Sequence, residues 1–147
     1  MIVELASDVA SVPVLEIGST PPALGQSAVI AGYGLSEHGS AGEKLYAMTT
    51  VVGIGSTVAG YLGPGVDSGV CAGYAGVCAG GPLLITVDSG GVSGACVGDS
   101  GGPLFVRDAS GWQVAGVLSE GSSDCTGEDV YVDLSSVAGW IRAHIHS

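Results

Sequence analysis

The sequence predicts an all-β fold, and three observations lead there. Glycine accounts for 27 of the 147 residues, strong helix formers are scarce until the C-terminal stretch, and short apolar or β-branched runs recur between turn signals. A chain of this length makes one domain of ordinary size, long enough to bury a core.

Taken in order, residues 1–20 read as an extended segment. Ile2, Val3, Val12, Val14, Leu15 and Ile17 alternate loosely, and Pro13, Pro21 and Pro22 interrupt any regular element. Ser27–Gly34 reads as a strand in which Tyr33 sits between two glycines, and Leu35–Glu43 as a polar turn that leaves His38 in solvent. The β-branched run Lys44–Ile54 predicts a second strand. Between Gly60 and Gly94 the chain is laden with glycine, repeats Cys71-Ala72-Gly73 as Cys78-Ala79-Gly80, and offers a strand at Leu83–Val87. A Leu-Phe-Val run follows Pro103, and Gly111–Ser119 alternates as a half-buried strand does. Ser135 or Ser136 is placed to cap a terminal helix whose Val137, Trp140, Ile141, His144 and Ile145 share one face. On that reading His144 packs, and His146 turns away.

Composition narrows the function classes. Fourteen acidic residues against 3 basic ones leave a net charge of -11, which repels phosphate backbones and excludes nucleic acid as a partner while favouring cationic peptides. No apolar run approaches the roughly 18 to 20 residues that span a bilayer, so no membrane is expected either. Cys71, Cys78, Cys96 and Cys125 form no C-x-x-C pair, and His38, His144 and His146 do not cluster with them. Disulfides are therefore expected, with three pairings open and no metal site. Disulfides imply an oxidising, extracellular setting, yet Met1-Ile2-Val3-Glu4 lacks the basic start and apolar core of a secretion signal. The sequence contains no asparagine, hence no acceptor for N-linked glycans.

The chemistry-bearing stretch is Gly98-Asp99-Ser100-Gly101-Gly102-Pro103-Leu104. It sets a hydroxyl among small, turn-forming neighbours: Gly98 and Gly101 let the backbone turn so that consecutive N–H groups converge near the Ser100 oxygen, and Pro103 prevents a helix from starting there. Convergent N–H groups stabilise an oxyanion. Preceded by Cys96 and followed by Phe105 and Val106, this string resembles the nucleophile loop of the trypsin-like serine endopeptidases.

The resemblance implies a six-stranded Greek-key barrel, the second of that family's two, ending in a helix. Residues 1–20 then correspond to the inter-barrel segment, 21–134 to the barrel and 135–147 to the helix. Asp8, followed by Val9 and Ala10, resembles the triad aspartate. Ala28 and Val106 stand where many relatives carry a bonded pair of cysteines, so an apolar contact is expected in its place. The resemblance pairs Cys96 with Cys125 and leaves Cys71 to close a short loop with Cys78. Val70–Tyr74 resembles the strand before the nucleophile, but its distance from Cys96 implies an insertion on the specificity side.

The implied activity is serine-type endopeptidase action through an acyl-enzyme, with protein or peptide substrates and no cofactor. Ser100 is the nucleophile, a histidine its base, Asp8 the orienting carboxylate, and the N–H groups of Gly98 and Ser100 the oxyanion hole. No histidine precedes Asp8; in the family that residue lies on a first barrel ahead of the aspartate. The chain is therefore expected to be truncated, to lack the N-terminal barrel as a partner, and to be inactive alone. Asp99 is activation-linked in such enzymes, pairing with a new N-terminal amine; without that amine it is expected to be unpaired and its loop to be zymogen-like.

Specificity follows from the residues expected to line the first pocket. Gly94 occupies the floor position where trypsins carry aspartate, Gly121 leaves the entrance open, and Ser119 begins the edge that meets the substrate backbone. Glu120 departs from the usual aromatic. Asp129 falls on a wall that is usually glycine, so a carboxylate enters from the opposite side and Arg or Lys, or a broad range, is expected beside the cleaved bond; the competing reading makes Asp129 an exposed acid at a strand end. An α/β-hydrolase order of Ser100, Asp129 and His144 is formally available, but the nucleophile elbow needs a helix after the serine, which Gly101-Gly102-Pro103 opposes. The alternative from another class is a non-catalytic homologue that keeps the barrel as a protein-binding module.

Overall fold

The computed structural model describes residues 2–36, 38–55, 84–122, 124–126 and 128–145. Among the described residues, seven strands precede one helix: β1 (Glu16–Ile17), β2 (Ser27–Gly32), β3 (Leu45–Ile54), β4 (Leu84–Asp88), β5 (Pro103–Asp108), β6 (Gly111–Glu120), β7 (Asp129–Asp133) and α1 (Leu134–His144). The sheet runs β1-β6-β5-β2-β3-β4-β7, and β6 also pairs with β7. That last pairing closes β2 to β7 into a six-stranded antiparallel barrel and leaves no open edge to protect. The two-residue β1 lies outside the ring, parallel to β6 through Glu16 opposite Gln113 and Ile17 opposite Val114.

Alternation explains the core. Ala28 and Ile30 on β2, Val51 on β3, Ile85 and Val87 on β4, Leu104 and Val106 on β5, Leu118 on β6 and Tyr131 on β7 point inward and are buried, and Ala115 joins them from the β6 bulge opposite Leu104 and Phe105. Burying each large aliphatic side chain is worth about 1.5 to 3 kcal/mol, so this cluster dominates the fold's stability. Ala28 lies opposite Val106 across the β2–β5 ladder, and both are buried; the predicted apolar contact occupies that place.

The helix corrects two expectations. Its N-cap is Asp133, whose Oδ1 accepts from the Ser135 N–H at 2.8 Å, while the Ser136 hydroxyl donates to the Asp133 carbonyl. An aspartate serves that position as well as serine does, and the helix begins at Leu134 instead of after Ser135 or Ser136. Leu134 and Ala138 are its buried residues, against β6 and β1. Trp140 is instead half exposed and stacks on His144 with ring centroids 4.6 Å apart, and His144 Nδ1 bonds the Trp140 carbonyl at 2.7 Å. The apolar face is thus rotated toward Leu134 because capping two or three residues earlier brings that leucine onto the helix.

Candidate active site

The nucleophile loop leaves a tight turn and enters β5. The Asp99 N–H donates to the Cys96 carbonyl at 3.0 Å, Gly102 to the Asp99 carbonyl at 2.8 Å, and Gly101 to the Leu118 carbonyl at 3.0 Å; Leu118 returns a bond to Gly102 at 2.8 Å. These bonds pin the loop to β6. Gly98 and Gly101 have φ of 99° and 82°, the left-handed region that side chains avoid. The N–H groups of Gly98 and Ser100 take no part in this network, and Ser100 itself is exposed. The turn therefore presents a hydroxyl flanked by two uncommitted donors.

Asp99, half-buried, faces the other way. Its Oδ1 accepts from the Gly34 N–H at 2.7 Å and its Oδ2 from the Cys96 N–H at 2.9 Å. This overturns the expectation of an unpaired carboxylate: two backbone donors hold it, and hydrogen bonds to a charged group are the strong kind. The geometry also explains Gly32 and Gly34, since a Cβ on either would run into the Asp99 carboxylate. The same segment is stitched to the loop by the Leu35 N–H, which donates to the Val97 carbonyl at 2.9 Å. Sequence reasoning missed this cradle. The glycines flanking Tyr33 were its visible signal, but nothing local says which carboxylate they make room for.

Asp129, at the start of β7, is 2 % exposed; it is no exposed acid. Its Oδ2 accepts from the Ala95 N–H at 2.8 Å, whereas its Oδ1 has no hydrogen-bond partner among the described residues. Burial pushes the carboxyl up to about 6, with the Ala95 bond opposing and the like charges of Asp99 and Asp88 assisting. Burial, then the negative charge of Asp88, also raises the neighbouring Glu128. The Tyr131 phenol, on the same face of β7, is pushed well above its usual range by burial and by Asp129 and Asp99.

A Cβ on Gly121 would meet Asp129 Oδ1 at 2.7 Å and the Ala95 carbonyl at 3.3 Å. Gly121 thus closes over the carboxylate, bringing the strand after Ser119 against the segment after Gly94. Ser119 occupies the bulge between the Leu118–Tyr131 and Glu120–Val130 pairs, a device that re-aims a strand next to a site. Cys96 and Cys125 form a disulfide with Cα atoms 4.8 Å apart, tying the nucleophile loop to the turn that follows Gly121. A cavity of about 690 Å³ beside the disulfide is lined by Gly94, Cys96, Asp99, Cys125 and Tyr131 among others.

Other expected site residues stand apart. Asp8 is exposed in irregular chain ahead of β1 and does not line that cavity. His38 is exposed in the loop between β2 and β3. The Cys71–Cys78 pairing and the Val70–Tyr74 strand lie outside the described residues. Among the described residues, no group of histidine, cysteine or acidic side chains is arranged to hold a metal ion, and no helix is long and apolar enough to cross a membrane.

A solved structure described as neuropsin, a serine protease expressed in the limbic system of mouse brain, superposes with a TM-score of 0.64 at 23% identity. The match covers 94% of this chain and 56% of the neuropsin chain, so the present chain spans little more than half the length of that relative. No curated protein matches the sequence at a significant level. The family model described as Trypsin matches residues 1–141, nearly the whole chain and the entire barrel with its Ser100 loop: by sequence and by fold, the chain belongs to the trypsin family.

Proposed function

We propose that this chain is the nucleophile-bearing barrel of a serine-type endopeptidase that cleaves protein or peptide substrates outside the cell through an acyl-enzyme. The observation that carries the reading is the exposed Ser100 with the uncommitted N–H groups of Gly98 and Ser100 beside it. In this scheme Ser100 attacks the scissile carbonyl, those two donors hold the oxyanion, a histidine accepts the serine proton, and Asp8 orients that histidine. Residues 1–20 carry Asp8 into the barrel of residues 21–134, and residues 135–147 end it.

Among the described histidines, His38 is exposed in a loop and His144 is engaged with Trp140, so neither serves as the acceptor in this scheme. The base is instead supplied by a first barrel packed against this one, and residues 1–147 alone are inactive. Ser119 meets the substrate backbone. Gly94, Gly121 and Asp129 form a pocket that takes Arg or Lys beside the cleaved bond, with tolerance for large apolar residues.

Fluorogenic peptide amides with Arg, Lys, Leu or Asp before the cleaved bond test the scheme. The chain alone should give no hydrolysis above buffer, whereas the chain linked to a histidine-bearing first barrel should cleave after Arg and Lys. Ser100→Ala should then lower the rate by about a thousandfold or more. Rapid cleavage by the chain alone, lost on Ser100→Ala, would overturn its inactivity; equal cleavage after Arg and Asp would overturn the pocket assignment.

A second reading, a non-catalytic homologue that binds proteins, draws support from the closure of Gly121 over Asp129. It expects peptide binding indifferent to Ser100→Ala and no hydrolysis even by the linked form.

A further inference from the structure

The barrel closes, but β6 overhangs β5 at the end where Ser100 stands. The β5–β6 ladder stops where Pro103 faces Val117. The nucleophile turn carries the pairing one residue further, through the Leu118 N–H to the Gly102 carbonyl and the Gly101 N–H to the Leu118 carbonyl. Beyond Leu118, β6 is registered with β7 alone, Glu120 lying opposite Val130. Among the described residues the last of β6 is thus a short strand edge beginning beside the Ser100 turn, and such an edge takes an extended peptide as an added strand.

Glu120 is the side chain this overhang presents to solvent. It is exposed and has no hydrogen-bond or ionic partner among the described residues. A Cβ on the next residue, Gly121, would run the other way, toward Asp129 Oδ1 and the Ala95 carbonyl, because successive side chains of extended backbone point to opposite faces. The same alternation governs a peptide laid along the edge. Its residue before the cleaved bond turns toward Gly121 and the pocket, so the second and fourth residues before that bond turn to the side of Glu120.

The chain itself does not neutralise that carboxylate. Its 3 basic residues are Lys44, exposed ahead of β3, Arg107, whose guanidinium lies over the Trp112 ring, and Arg142, exposed in the last turn of α1. The segment after Gly121 adds Asp124 and Glu128, and the net charge of the whole chain is -11. The field along the overhang is therefore negative and draws positive side chains to it.

Resting on the endopeptidase reading and extending it beyond the pocket, we propose that Glu120 is a specificity-determining residue that pairs with a second basic side chain of the substrate, at the second or fourth position before the cleaved bond. The enzyme then selects clustered basic residues over isolated ones. An exposed carboxylate and a long basic side chain make a solvent-screened pair, so the selection is modest and sensitive to salt.

The probes are acetyl-Ala-Ala-X-Arg amides with Arg, Ala or Asp at X, and a fourth peptide that moves the Arg from X to the first alanine. They are titrated into the isotope-labelled 147-residue chain at low salt and followed by NMR at the Glu120 carboxyl and the Glu120 and Gly121 amides. Whichever peptide sets its Arg on the Glu120 side should bind about threefold more tightly than the Ala peptide and about tenfold more tightly than the Asp peptide. In about 0.5 M salt these affinities should converge. Glu120→Gln should level the order and Glu120→Lys should reverse it, at an exposed position whose side chain the fold does not use. Fluorogenic versions of the same peptides, cut by the chain linked to a histidine-bearing first barrel, should follow the same order in kcat/KM.

Equal affinity for all four peptides, or an order that Glu120→Lys leaves unchanged, would overturn the selection and leave the endopeptidase reading to the Ser100→Ala hydrolysis assay. Signals of Glu120 and Gly121 that no peptide perturbs would overturn the overhang as a peptide edge. An order in binding that reverses with Glu120→Lys, without hydrolysis by the linked form, would uphold the pairing at Glu120 and overturn the endopeptidase reading instead.

Discussion

Asp99 and Asp129 are two carboxylates at one end of the same barrel, and the fold treats them oppositely. Asp99 has a backbone donor for each oxygen, Gly34 for one and Cys96 for the other. Asp129 is the more deeply buried yet has one donor, from Ala95, and one oxygen with none. The difference separates a carboxylate with both oxygens held from one with an oxygen left over. Full satisfaction stabilises what it touches, whereas a buried carboxylate with an unpaired oxygen costs stability when it is charged.

Removing Asp99 should have the largest effect. Asp99→Ala leaves the Gly34 and Cys96 N–H groups without acceptors and should lower stability by about 3 kcal/mol or more in urea unfolding, since each bond to a charged group is worth about 1.5 to 3 kcal/mol. A loss below about 1 kcal/mol would erase the contrast between the two sites.

Asp129→Asn should do the reverse. The folded carboxyl titrates at about 6 against an ordinary 3.8, so the folded state holds the proton more tightly than the unfolded state does. Its ionisation therefore penalises folding fully above about pH 6, and the penalty disappears as the pH falls below about 4. The variant should exceed the parent by roughly 2 kcal/mol at pH 7.5 and match it near pH 4. Unfolding midpoints across that range read the difference directly. An advantage that grows toward acid would mean that the orphan oxygen has a partner after all.

The smallest effects come from two glycines. Gly121→Ala puts a methyl 2.7 Å from Asp129 Oδ1 and should cost about 1 kcal/mol in urea unfolding. Gly139→Ala, in α1 with nothing within 4 Å of the new atom, should instead stabilise by about 0.5 to 1 kcal/mol. Equal effects at both positions would deny Gly121 its special place over the carboxylate.

Much of the barrel could be read from the chain. Alternation and β-branching located β3 within a residue of its observed start, and the Ala28 and Val106 positions were legible as facing partners only through the resemblance, which places a bonded pair of cysteines there. The helix was legible, but its register was not: Asp133 reads as the end of a strand until β7 is seen to run straight into the cap. At the site, the turn around Ser100 was visible as a motif. The partners of Asp99 and Asp129 were not, since the bond from Gly34 spans 65 positions and that from Ala95 spans 34.

By itself, then, the sequence determined the all-β character, the turn that exposes Ser100 and the acidic surface, because these depend on local backbone preference and on counting charges. Only the tertiary structure decided which carboxylate would be satisfied and which left wanting. That choice depends on where the Gly34, Cys96 and Ala95 N–H groups fall once the barrel closes, and a backbone donor carries no mark in the sequence of the acceptor it will meet.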